Sequence, residues 1–238
     1  MAKAKAVPAS TKVSLAGELV LGALIAELVG TFILTFAVLN TTGNAIVAAI
    51  TVLILVLMLS RLSGGHINPA VTISLLVTRQ ITWVRALGYL VAQFLGAMLA
   101  VVVASNFLAG VTDQMTGEAA KVFHVTVSGD WKPFFAEMIG AVIFGFGVSA
   151  AVFGKKEGFD AAFTIGGALL LGLIIATSGS NAILNPAVAL GAGALDFKNI
   201  WGPLAYGLAP LIGAAVGAFL YKLLQSDITL VGTKATKE

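Results

Sequence analysis

The sequence predicts an all-α membrane protein, with six transmembrane helices and two shorter re-entrant half-helices arranged as an inverted repeat. Three observations carry that prediction. Of the 238 residues, 58% are hydrophobic and only 11% charged, against about 25% charged in an ordinary soluble domain. Runs such as "AIVAAITVLILVLML" (Ala45 to Leu59) are apolar around their whole circumference and offer no face to water. The tripeptide Asn-Pro-Ala interrupts the apolar chain twice, in matching places of two similar halves.

The elements follow in order. The start, "MAKAKAVPASTKVSLAGE", is basic and polar and lacks the apolar core of a signal peptide, so residues 1–14 are read as a cytoplasmic tail. A single transmembrane domain over 15–224 contains repeats at about 15–110 and 131–224, and residues 225–238 form a second cytoplasmic tail. The six long apolar segments run over Gly17–Leu39, Asn44–Leu62, Trp83–Leu108, Trp131–Phe153, Phe159–Thr177 and Ile200–Leu224. A spanning helix needs roughly 20 such residues. Pro69–Thr78 and Pro186–Leu195, which follow the interruptions, reach only about half-way through a core ~30 Å thick. The polar stretch Val111–Asp130 is read as an external loop.

Basic residues set the orientation. With the N-terminus inside and the short stretches not crossing, the inner side holds Lys3, Lys5, Lys12, Arg61, Arg79, Arg85, Lys155, Lys156, Lys222, Lys234 and Lys237. The outer side holds Lys121, Lys132 and Lys198. That bias places both termini in the cytoplasm and the chain in a cell membrane, plasma or inner. It also accounts for the basic pI near 9.2 without nucleic acid as a partner. There are no cysteines and two histidines, His66 and His124, so no cofactor and no metal site is expected.

The repeat is explicit. "AELVGTFILTFAV" from Ala26 aligns with "AEMIGAVIFGFGV" from Ala136, pairing Glu27 with Glu137. Each copy leads to an Asn-Pro-Ala-Val, at Asn68, Pro69, Ala70, Val71 and at Asn185, Pro186, Ala187, Val188. Three crossings per half is an odd number, so the second half is inverted, and interrupted short segments in corresponding places point to a site near the bilayer midplane. Pro is preorganised for the first helical position and Asn is a good N-cap. Two half-helices entering from opposite faces would meet N-terminus to N-terminus, their positive ends converging. The loops before them, "SGGHI" and "SGSNAIL", leave carbonyls free to accept from a molecule in single file. Irregular backbone at that depth is tolerated where it lines a cavity.

The boxes "AELVGTF", "SGGHINPAVT", "AEMIGA" and "NAILNPAV" resemble those of the aquaporins, the major intrinsic protein family, over nearly the whole chain. The resemblance implies a right-handed helical bundle, a homotetramer with one pore per subunit, and passive passage of water or small neutral solutes such as glycerol, urea and ammonia. It implies that Asn68 and Asn185 line the pore and that Glu27 and Glu137 brace the re-entrant loops. Gly64, Gly65, His66, Ser180, Asn181 and Ala182 would offer carbonyls to the lumen.

The chain departs from the family where most members carry an Arg after the second box; here that position is Val188. The other constriction positions fall on Ala48, Leu173 and Ala182. Such a filter has no side-chain donor, acceptor or charge, which implies a wide, apolar constriction that admits larger solutes and could slow water. Two other classes share parts of this pattern. An ion-coupled transporter also uses inverted repeats, but coordinates its ion with acidic or hydroxyl groups, where this chain offers neutral Asn. A non-conducting structural or adhesion protein is the alternative that an apolar constriction allows. No catalytic constellation points to an enzyme.

Overall fold

The computed structural model describes residues 19–107 and 122–235. The expected N-terminal tail, part of the external loop and the last three residues lie outside the described residues. In chain order the helices are α1 (Leu21–Asn40), α2 (Ala45–Leu59), α3 (Pro69–Val77), α4 (Trp83–Phe107), α5 (Lys132–Phe153), α6 (Gly158–Ala176), α7 (Pro186–Gly191) and α8 (Ala209–Ala235). A π-helical stretch, Pro203–Leu208, feeds α8. The described residues contain no strand.

Five of these helices are long and apolar enough to cross a membrane. The sixth pass, α2, has 15 residues and is shorter than the expected Asn44–Leu62. Asn44 starts it by accepting from the Ile46 and Val47 N–H groups, and the chain leaves it at Ser60 for the turns leading to Gly64 and Gly65. Their φ of +96° and +64° suit residues without a Cβ. α7 also ends early, at Gly191 rather than Leu195. Gly193 turns left-handed (φ +71°) and the Ala194 N–H bonds back to the Ala189 carbonyl, a helix stop that an apolar run alone does not announce. At the other extreme α8 continues to Ala235, into the stretch expected to be a tail.

The π-helical turn has a local cause. Pro210 has no N–H, and its ring would collide with the Tyr206 carbonyl in regular α geometry. Widening the turn ahead of it relieves that collision.

The halves pack as related pairs: α1 against α4 and α5 against α8, with α2 meeting α6 and each half-helix lying against the long last helix of the other half. Small residues set the closeness. A Cβ on Gly96 would run into the Leu28 carbonyl of α1, and one on Gly213 or Gly217 into the Met138 or Val142 carbonyl of α5. Glycine there lets backbones touch, which is how helices gain packing energy in lipid. The outward faces carry Ile50, Ile54, Val91, Met98, Phe163, Leu171 and Phe219, all about half exposed or more, a continuous apolar belt.

Two ends can be distinguished. At one, Lys222 Nζ donates to the Thr78 carbonyl (3.3 Å) and Gln225 Nε2 to the Phe153 carbonyl (3.2 Å), gathering the ends of α3, α5 and α8; this is the termini end. At the other, segment 122–127 crosses from half to half: the Phe123 N–H donates to the Leu39 carbonyl (3.0 Å) and the Val125 N–H to the Ala192 carbonyl (2.8 Å). Trp131 packs edge-on to Trp201 at this end, 5.1 Å between centroids.

Candidate functional site

The half-helices α3 and α7 meet at their N-termini. Asn68 caps α3, its Oδ1 accepting from the Ala70 N–H (2.7 Å), and Asn185 caps α7 by accepting from the Ala187 (3.0 Å) and Val188 (3.3 Å) N–H groups. The two amides then cross. Asn68 Nδ2 donates to the Leu184 carbonyl (2.9 Å), and Asn185 Nδ2 to the Ile67 carbonyl (3.1 Å). Each amide therefore clamps the loop of the opposite half. An Asn NH₂ carries two hydrogens, so one per residue remains for a molecule in the lumen.

The acceptors of this clamp sit in unusual backbone. Ile67 has φ +44° and Leu184 φ +53°. For a side chain other than Gly this costs about 1–2 kcal/mol per residue. The surroundings hold both in place through the buried carboxylates. Glu27 Oε1 accepts from Ser63 Oγ (2.6 Å) and the His66 N–H (2.9 Å), and Oε2 from the Ile67 N–H (2.6 Å) and Gln93 Nε2 (2.8 Å). Glu137 Oε1 accepts from Ser180 Oγ (2.6 Å) and the Ile183 N–H (3.0 Å), and Oε2 from the Leu184 N–H (2.7 Å). Both carboxylates are fully buried and face loop donors. A tyrosine adds a second hold on each loop. Tyr89 donates to the Ser63 carbonyl (2.6 Å), and Tyr206 donates to Asn181 Oδ1 (2.9 Å) while accepting from the Asn181 N–H (3.3 Å).

Along the two loops runs a narrow cavity of about 50 Å³, room for a few waters in file at roughly 10–15 Å³ each. One side of it is polar: Asn68, Asn185, Asn181, His66 and the loop backbone at Gly64, Gly65, Ala182 and Ile183. No backbone N–H among the described residues donates to the carbonyls of Gly64, Gly65, His66, Asn181, Ala182 or Ile183. The opposite side is apolar, formed by α1, α2, α5 and α6 with residues such as Leu34, Val52, Phe144 and Leu169. Ala48, Leu173, Ala182 and Val188, the four residues expected at the constriction, all line this one cavity. Pro69, Ala70, Pro186 and Ala187 are buried behind the amides as the first turns of α3 and α7. Ser180 is not in the wall. Its hydroxyl is engaged by Glu137, and Ile183 lines the lumen instead.

The chain matches the model of the family described as "Major intrinsic protein" over residues 14–221. It belongs to the major intrinsic protein family. Its relatives include nodulin-26 of Glycine max, 32% identical over 85% of this chain and 77% of that protein. A probable aquaporin, NIP7-1 of Arabidopsis thaliana, is 33% identical over 83% of this chain and 74% of its own. Glycerol uptake facilitator protein-like 6 of Lactiplantibacillus plantarum is 30% identical over 85% of this chain and 98% of its own. Among solved structures, the aquaglyceroporin from Plasmodium falciparum superposes with a TM-score of 0.62, covering 84% of this chain and 93% of that one at 23% identity, a likeness of fold.

In this major intrinsic protein the bracing is richer than Glu27 and Glu137 alone. Ser63, Ser180, Tyr89, Tyr206, Gln93 and Thr72 all hold the loops, and sequence reasoning did not single them out. A signal existed for four of them: the serines precede each box Asn by five positions, and the tyrosines follow it by 21. Gln93 and Thr72 have no such repeat. Gln93 Nε2 also donates to Thr72 Oγ1 (2.9 Å), which lies 3.2 Å from His66 Nδ1, so this network belongs to one half only. Among the described residues, no group of three His, Cys, Asp or Glu could hold a metal.

Proposed function

We propose that this major intrinsic protein is a passive channel whose permeants are small uncharged solutes, among them glycerol, urea and ammonia, passing through a wide apolar filter of Ala48, Leu173, Ala182 and Val188. The observation that carries the reading is one cavity with loop backbone and two Asn amides on one side and hydrocarbon on the other. A neutral solute with hydroxyl or amine groups trades water for that polar side while its carbon skeleton meets the apolar wall. An ion fares worse. Among the described residues no acidic, Lys or Arg side chain lines the cavity, so no opposite charge compensates an ion that leaves water on one side for hydrocarbon. The positive ends of α3 and α7 add to the barrier for cations.

The working form is a homotetramer in a cell membrane, both termini cytoplasmic, with the termini end facing inward. Family membership and the bias of Lys and Arg toward that end support this.

The test is light scattering from proteoliposomes challenged with water, glycerol, urea or ammonia gradients. Uptake above that of empty liposomes, linear in solute and indifferent to ion gradients, is expected. Rates equal to empty liposomes would instead favour a structural role. Val188→Arg places a charged donor in the filter, and glycerol permeability should fall by roughly an order of magnitude. Unchanged selectivity would remove Val188 from the constriction.

A further inference from the structure

The four filter positions offer nothing larger than Leu, yet the wall of the same cavity also includes an aromatic ring from the segment that crosses between the halves. We infer that Phe123, on the crossing segment between α4 and α5, guards the mouth of that cavity and sets the size limit for permeants. The inference rests on the channel reading and names a residue that it does not use.

Three observations place the ring there. Phe123 lines the same cavity as Ala48 and Val188, and apart from Phe144 on α5 it supplies the only phenyl ring in the wall among the described residues. Its tip rests on the α1–α2 turn: a Cβ built on Gly43 would stand 2.8 Å from Cζ and 2.9 Å from Cε1. Gly43 has φ +73°, so the turn keeps both the backbone and the space that the ring occupies. Ala48 follows one helical turn further in, its N–H bonded to the Asn44 carbonyl (3.0 Å).

The segment is not a loose flap. It is pinned at Phe123 itself, whose N–H bonds to Leu39 in the first half, and two residues on through Val125 to Ala192 in the second, and Val125 is itself buried. A half-buried ring held this way is fixed in place over the opening. It narrows the mouth and gives a passing solute a flat apolar surface but no hydrogen bond, which disfavours larger polar molecules before they reach the loop backbone.

The absence of cysteine from the chain allows a test that does not depend on flux. Ala48→Cys is labelled with a charged methanethiosulfonate reagent, alone and combined with Phe123→Ala or Phe123→Trp. Labelling should quicken at least about threefold with Phe123→Ala and slow with Phe123→Trp, as expected for a hydrophobic constriction. In proteoliposomes, Phe123→Ala should raise glycerol permeability relative to water. Equal labelling rates in all three backgrounds would overturn the inference even if the wild-type chain conducts. Glycerol and water both at the rate of empty liposomes, with labelling still dependent on residue 123, would defeat the channel reading and leave the ring as the guard of a closed cavity.

Discussion

The two halves share one backbone plan but hold their re-entrant loops differently. In the first, Glu27 receives four donors, one of them Gln93, and a polar chain continues through Thr72 to His66. In the second, the positions 117 further along, the same offset that relates Asn68 to Asn185, are Pro210, Ala189 and Ile183. Glu137 there receives three donors, and compensation comes from Tyr206, carried on the π-helical turn that Pro210 imposes, which binds Asn181 twice. What both halves retain is the part that builds the lumen: carboxylate to loop N–H, and Asn amide to the opposite carbonyl. What drifted is the support behind it.

The largest expected effect tests that retained part. Glu137→Ala orphans the Ile183 and Leu184 N–H groups, each costing about 1–3 kcal/mol when buried without a partner, while the Ser180 hydroxyl keeps the Ala176 carbonyl as acceptor (3.1 Å). The variant should lose about 2–6 kcal/mol by that count, visible as a collapse of thermal stability in detergent. A melting curve like that of the wild type would mean the loop does not depend on the carboxylate. Next come Asn68→Ala and Asn185→Ala. Each removes an N-cap, worth about 1 kcal/mol, and one cross-half bond of about 0.5–1.5 kcal/mol. The two variants should lose similar stability, because the clamp is reciprocal; a strong inequality would break the symmetry argued here.

Smaller effects should separate the halves. In Glu27→Gln the new NH₂ meets a neighbour able to adapt, since Gln93 Oε1 has no partner and the Gln93 amide can turn to accept. Glu137→Gln meets two fixed backbone N–H groups and has no such amide beside it, only the Ser180 hydroxyl. It should be the less stable of the two by about 1 kcal/mol, and Gln93→Leu should erase the difference, a coupling read from the double-mutant cycle. Additive effects would show that Gln93 does not adapt. Smallest of all, Tyr89→Phe removes one hydrogen bond and Tyr206→Phe two, so Tyr206→Phe should lower the melting temperature more.

The sequence made the retained part legible and the divergent part illegible for the same reason. Asn68, Asn185, Glu27 and Glu137 recur in register, so the repeat itself announced their pairing. Gln93 meets Glu27 across 66 residues of separation without a counterpart in the other half, and only folding shows the contact. The expected lumen carbonyls included Ser180, but the 117-residue offset matches Ser63 with Ser180 and His66 with Ile183. The ends of α2 and α7 escaped an apolar-run reading because Gly64, Gly65 and Gly193 stop helices by conformation rather than polarity. The crossing segment carrying Phe123 belongs to neither repeat, so nothing in their alignment pointed to it.

The central claim is that the two half-helices meet tip to tip beside one permeation route. Asn68→Cys with Asn185→Cys, the sole thiols in an otherwise cysteine-free chain, treated with a short bis-methanethiosulfonate, tests it most directly. The account predicts a cross-link within one subunit, with solute flux through proteoliposomes falling as the link forms. Thiols that label separately without linking, or a complete link that leaves flux unchanged, would contradict it.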